Sequence, residues 1–206
     1  MADAAATPTS QDDELSPRVV ELIRSTYRVM AHRGSHRLSL QDIAEEAGVS
    51  KGLLLYHFKT KDNLLLATMR WALQRTADRI RRGTADAEDA RAALRSLVEA
   101  VFVDPELNRD FNLFYLDLIE HAVRVAVYSE LPELLRTVIN DLYAEVISRG
   151  VDESEFHVDD VDAAARAMRA QIEGTFLQWM QEDDWRGSHS RYRDECYGSL
   201  VRLLGA

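Results

Sequence analysis

From Pro17 onward, apolar residues recur every three to four positions, and no stretch alternates apolar with polar as a half-buried strand does. Helices are therefore the only regular elements this chain can build, and it reads as all-α. Ser16-Pro17 supplies a cap and a first-turn proline, and Val20, Ile23, Tyr27 and Met30 mark a helix that stops at Gly34. Ser39 caps a second helix ending at Gly48, Ser50 a third ending near Phe58, and Thr60 a long fourth reaching Arg82, with Gly83 as its stop. Beyond it, Asp86 caps a helix to about Val103, Asp104-Pro105 opens one to about Tyr128, and Ser129 opens one ending near Gly150. The acidic loop VDESEFHVDD then leads into a helix from Asp159 to Gln181. The polar linker EDDWRGSHS separates that helix from a last one over Ser190 to Leu204.

Charge divides along these boundaries. Residues 1–16 carry four acids and no Lys or Arg, which reads as a disordered acidic tail. Between Pro17 and Asp62, eight basic residues (Arg18, Arg24, Arg28, Arg33, Arg37, Lys51, Lys59, Lys61) face five acids (Glu21, Asp42, Glu45, Glu46, Asp62), a net +3. The whole chain is at −10, so residues 63–206 carry −9. Overall charge cannot draw such a protein to a polyanion, but a local basic unit on an acidic body can meet one. The one cysteine, Cys196, excludes an internal disulfide and any multi-thiolate metal site. No apolar run approaches a membrane span, and no basic-then-apolar leader opens the sequence, so a cytoplasmic protein without membrane contact is expected.

The most informative stretch is SLQDIAEEAGVSKGLLLYHFKTKDNLL, residues 39–65. Two short helices meet at Ala47-Gly48-Val49, where glycine permits a left-handed turn and Ala44 lets the second helix cross closely over the first. Ile43, Ala47, Val49 and Leu54 fill the core between them. Such a helix-turn-helix presents the start of its second helix to the major groove while the first crosses the sugar–phosphate backbone.

The run Ile-Ala-x-x-Ala-Gly-Val-Ser-Lys-Gly, then His57-Phe58, Lys61 and Leu64, resembles the DNA-binding signature of the TetR family of transcriptional regulators. The dense match covers residues 39–65, and a larger helical body stands behind it as in that family. One departure is Leu55, where members commonly carry tyrosine; Tyr56 follows it. Leucine cannot donate a hydrogen bond to phosphate. Gln41 and Ser50 lie near helix N-termini, where free N–H groups favour phosphate, and Ser39 caps the first helix of the motif. The resemblance gives Lys51, His57 and Lys61 backbone contacts. Gly52 permits close approach to DNA, Leu53 and Leu55 straddle the inward Leu54 and can meet thymine methyl groups, and Tyr56 and Arg37 are further contact candidates. Taken alone, these lysines are ordinary surface lysines, and Tyr56 and Phe58 could be core, which suits Phe58 better. The motif is what turns the basic side chains into contacts.

The helix from Asp159 to Gln181 carries two apolar stripes, one bulky and one of small residues, Ala163, Ala167, Ala170 and Gly174. A helix apolar on two faces is buried on two sides. The last helix adds Tyr197, Val201 and Leu204. In TetR-like proteins the last two helices pair across a two-fold axis, which implies a homodimer addressing a palindromic DNA operator. The resemblance also implies a small-molecule effector. Its candidate contacts are Phe114, Asp117, His121, Glu173, Phe176 and Trp179, and aromatic groups with acids suit a cation. Glu120 and Arg124, at i and i+4, read as a surface ion pair.

The expected organisation is a tail (1–16), a helix-turn-helix DNA-binding domain (17–62) and a helical effector-binding and dimerisation domain (63–206). The expected function is a repressor released by its effector. An activator, or a regulator without an effector, would carry the same head. A helical enzyme would need a metal, nucleophile or phosphate-loop motif, and no such motif appears, so neither cofactor nor metal is expected.

Overall fold

The computed structural model describes residues 15–33, 38–122 and 124–206. Residues 1–14 of the expected tail, and Arg37, lie outside them. Three helices form the N-terminal unit: α1 (Pro17–Arg33) and the short α2 (Leu40–Glu46) and α3 (Lys51–Phe58). They enclose Leu22, Ile23, Met30, Ile43, Ala44 and Leu54. The body follows as α4 (Lys61–Thr84), α5 (Ala90–Val101), α6 (Pro105–Ala122), α7 (Leu131–Leu135), α8 (Asp141–Asp152), α9 (Val161–Trp179) and α10 (Trp185–Leu203). One apolar core runs through both parts, because α4 buries Leu64 and Leu65 beneath the head and Ala77 and Ile80 against the body.

Several boundaries differ from the sequence expectation, each for a physical reason. Helix α4 continues through Gly83 to Thr84 because α5 packs along it; a Cβ at Gly83 would sit 3.5 Å from Ser96 O. Asp89 rather than Asp86 caps α5, accepting from Ala92 N–H at 2.7 Å, while Glu153 and Glu155 take the Ala90 and Arg91 N–H groups at 2.8 and 3.0 Å. Helix α6 stops at Ala122, and a 3₁₀ turn over Ala126–Tyr128 buries Tyr128 completely. The segment expected as one helix after Ser129 is α7 and α8 joined by a π turn, Arg136–Asn140, closed by Asp141 N–H to Arg136 O. The expected linker shrinks because Asp184 caps α10 and the Trp179 indole N–H donates to Trp185 O, which starts that helix at Trp185.

No helix among the described residues is long and apolar enough to cross a membrane. On α9, Ala165, Met168, Ile172, Phe176 and Trp179 face the core, while Ala163, Ala167 and Gly174 are half-buried and Ala170 is exposed. A Cβ at Gly174 would meet no atom within 4 Å. Leu177 and Leu203 are exposed on the same two helices. Tyr197 and Val201 are half-buried, and the Arg95 guanidinium lies 3.9 Å from the Tyr197 ring centroid. Leu204, expected on the partner-facing side, is instead fully buried within its own chain, because α10 ends there and the chain turns inward.

Candidate nucleic-acid interface and effector cavity

The head is built from its caps. Ser39 accepts from Asp42 N–H at 3.2 Å and Asp42 takes the Ser39 N–H at 2.8 Å, a reciprocal capping box that fixes where α2 begins. The helix ends in a Schellman arrangement, with Gly48 N–H on Glu45 O and Val49 N–H on Ala44 O. Gly48 makes this possible at φ +61, where a side chain is disfavoured. Ser50 then caps α3 by accepting from Leu53 N–H at 3.3 Å.

This geometry sorts the sequence candidates. Leu54 and Phe58 point into the head, as expected for both. Lys51, Gly52, Leu55 and Tyr56 are exposed, Tyr56 at 71%, and Leu53, His57 and Lys61 are half-buried. Gln41 is exposed and donates to Glu45 at 3.0 Å. Helix α3 therefore presents Lys51, Leu55 and Tyr56 outward, a positive and partly apolar face suited to a groove. Lys59, weighed with Lys51 and Lys61 in the sequence, donates its ammonium to Tyr56 O at 2.9 Å and lies 5.6 Å from the Tyr56 ring centroid.

Behind the head, a cavity of about 320 Å³ opens among α1, α4, α6, the π turn and α9. Of the six expected effector contacts, Glu173 and Phe176 lie on its wall. Phe114, Asp117, His121 and Trp179 do not. Phe114 packs edge-on against Tyr27 at 6.0 Å, Trp179 lies among Phe176, Trp185 and His189, and His121 Nδ1 is 2.7 Å from Asp117 O on the same helix. These are packing and intrahelical contacts, which helical spacing does not distinguish from lining ones. Glu120 and Arg124 do form the expected exposed pair, at 3.3 Å.

The wall also holds Tyr115 and, missed by the sequence reading, Asn108, Tyr27 and, one turn apart on α4, Trp71, Arg75 and Arg79. Their signal was the four-residue spacing in WALQRTADR, a stripe of one aromatic ring and two guanidinium groups. Asn108 is held by donating to Val101 O at 2.8 Å, so its oxygen faces His189 Nε2 at 2.9 Å and ties the cavity wall to α10. Burial lowers the His189 pKa, which favours the neutral ring. The Tyr115 hydroxyl donates to Glu173 at 2.8 Å, and Arg169 pairs with the same carboxylate at 3.3 Å. Burial, then Glu173, raises the Tyr115 pKa, so the phenol stays a donor. Tyr27 comes from α1, so the head itself supplies part of the wall. A second tie joins the parts, from the Tyr128 hydroxyl to Asp62 at 2.9 Å.

Comparison with known proteins agrees with this layout. The family model for bacterial regulatory proteins of the TetR family matches residues 22–68, and that for the BetI-type transcriptional repressor C-terminal domain matches residues 90–201. The chain is similar to the HTH-type transcriptional repressor KstR2 of Rhodococcus jostii (strain RHA1), 30% identical over 166 residues, 79% of this chain and 81% of that one. It is also similar to the HTH-type transcriptional regulator BetI of Yersinia pestis (strain Pestoides F), 34% identical over 90 residues, 43% of this chain and 46% of that one. Among solved structures, a TetR transcription regulator from Haloarcula marismortui superposes with a TM-score of 0.77 at 25% identity, covering 93% of this chain and 98% of that one. A transcriptional regulator from Saccharomonospora viridis in complex with choline gives 0.78 at 25% identity, covering 91% and 97%. The chain therefore belongs to the TetR family of transcriptional regulators, a DNA-binding regulator with a TetR-type head and a BetI-type C-terminal domain.

Proposed function

We propose that this regulator is a repressor that binds a palindromic operator as a two-fold dimer and is released when a small molecule fills the cavity behind its head. Lys51, Lys61, Tyr56 and the N-termini of α2 and α3 hold and read the DNA, while the open small-residue face of α9 meets its copy. The observation that carries the reading is Tyr27. It belongs to the DNA-binding unit and to the cavity wall at once, so a ligand touches the head directly as well as through α4. Helix α4 runs about 27 Å from Lys61 to Arg79, at 1.5 Å per residue, and shares one rigid backbone between head and cavity. A ligand that favours one setting of that helix shifts the dimer between head spacings. The choline bound to the Saccharomonospora viridis regulator supports a small-molecule ligand in general terms.

The test is fluorescence anisotropy of the purified protein on DNA upstream of its own gene and on scrambled DNA, across a salt series. Selective, salt-sensitive binding at two chains per site is expected. Equal affinity for both DNAs, followed by failure to enrich any site from random sequence, overturns the operator reading.

A further inference from the structure

Arg79 is the charge in this cavity that the fold leaves unanswered. Its side chain is half-buried in the wall, with Nε donating to Ala100 O and Nη2 to Thr76 Oγ1, both at 3.1 Å. Both acceptors are neutral, and among the described residues Arg79 makes no ion pair. Only two of the five guanidinium N–H groups are used by those bonds. One turn away on the same helix face, Arg75 sets a second guanidinium 5.2 Å from the Trp71 ring centroid. Burial, then repulsion from Arg75, lowers the Arg79 pKa from its usual range, although an arginine stays charged. A half-buried cation without a counter-ion is costly unless something else supplies the negative charge.

The acid expected to attract a cation cannot serve that purpose. Glu173 is the wall's one carboxylate, and it already accepts from Tyr115 and pairs with Arg169. A positively charged ligand would meet Arg79 and a carboxylate that is already neutralised. The rest of the wall is mostly apolar and includes Phe111, Ile139, Ile172 and Phe176.

We propose that the cavity takes an amphipathic organic anion, a carboxylate on an apolar body, whose head group docks on Arg79 with Arg75 beside it and whose body lies against Phe111, Ile139, Ile172 and Phe176. A carboxylate matches the guanidinium fork in two parallel hydrogen bonds, which sets orientation as well as affinity. The choice of ligand class rests on the cavity being the effector site proposed above, and the effect on DNA is measured separately from binding.

Isothermal titration calorimetry of the full chain tests it with decanoate and naphthoate, each against its uncharged counterpart, decanol and naphthylmethanol, and with choline. Each acid is expected to bind at least tenfold more tightly than its alcohol, with choline weaker than both. Arg79→Gln is expected to close the gap between acid and alcohol, and alcohol binding reports that the cavity is still formed. Arg79→Lys, which keeps the charge, should keep the preference for the acids. Alcohols binding as tightly as acids, choline binding more tightly than either, no acid binding at all, or a preference that survives Arg79→Gln would each overturn the proposal. Acids that bind yet leave a preformed DNA complex intact uphold the anion site and remove the release reading instead.

Discussion

Lys59 holds an unfavourable backbone at a decisive point. At φ +67 and ψ −47, with Thr60 N–H on Phe58 O at 2.8 Å, it forms a γ-turn of the sign that residues with side chains rarely adopt. Such strain costs on the order of 1–3 kcal/mol and persists where surrounding contacts over-determine it. Here the Lys59 ammonium bonds back to α3, and Thr60 caps α4 through Asn63 N–H at 3.1 Å, so the turn fixes the direction of one helix against the other. Two residues on, Lys61 is half-buried at the start of α4, beside the face that α3 presents. Replacing Lys61 with alanine is expected to weaken binding to all DNA sequences alike and to flatten the plot of log affinity against log salt by about one unit. An unchanged slope in the anisotropy series would remove it from the phosphate contacts. At this scale the sequence was informative wherever chemistry is local: Ser39, Ser50 and Thr60 cap as read, because a cap needs only the next three residues. The spacing of Trp71, Arg75 and Arg79 is visible, but not that Arg79 and Tyr27 face a cavity. A cavity wall is assembled from several helices, and a periodic pattern does not say which outward position faces a hole.

The same division between local and distant causes holds for whole elements. The start of α5 differs from the sequence expectation because the side chains that finish it, Glu153 and Glu155, arrive from just beyond the end of α8, more than sixty residues along the chain. Helix α10 was cut short because its first turn is polar and reads as linker, whereas its position depends on Trp179 and Asp184. The junction after α8 shows what a single atom can decide. A Cβ on Gly150 would fall 2.1 Å from a ring carbon of Phe156, which is 2% exposed, and Gly150 O accepts from both Glu155 and Phe156 N–H. Gly150→Ala gains about 1 kcal/mol of helix propensity. Against this stands overpacking of about 1–3 kcal/mol in a ring that has no room to move. Net destabilisation is expected, seen as a lower midpoint in thermal unfolding followed by circular dichroism. A midpoint at or above that of the parent would mean that the ring relocates freely.

For the molecule as a whole, the all-α class and the split between basic head and acidic body could be read directly, because periodicity and charge accumulate over many residues. The partner-facing surface was read in part. Ala163, Ala167, Ala170 and Gly174 do lie on the side of α9 away from the core stripe, while Leu204 belongs inside. Gly174→Arg starts a long charged side chain from a Cβ position with no atom within 4 Å, on the face turned away from the core, so the single chain can accommodate it and even gains helix propensity. Sedimentation velocity is expected to show the variant as a monomer at concentrations where the parent is a dimer, with a matching loss of operator affinity. A variant that stays dimeric would move the interface off this face.

Tyr27 gives the proposed release an arithmetic of its own. Through this side chain a ligand in the cavity touches the head, and by linkage any factor by which ligand weakens the grip on an operator is also the factor by which that operator weakens the grip on ligand. Each promoter then acts as an antagonist of the signal that clears it, and a site held more tightly needs more ligand to be emptied. Weak sites would empty at low dose and strong ones only at high dose, so one cavity could switch a set of genes in a fixed order.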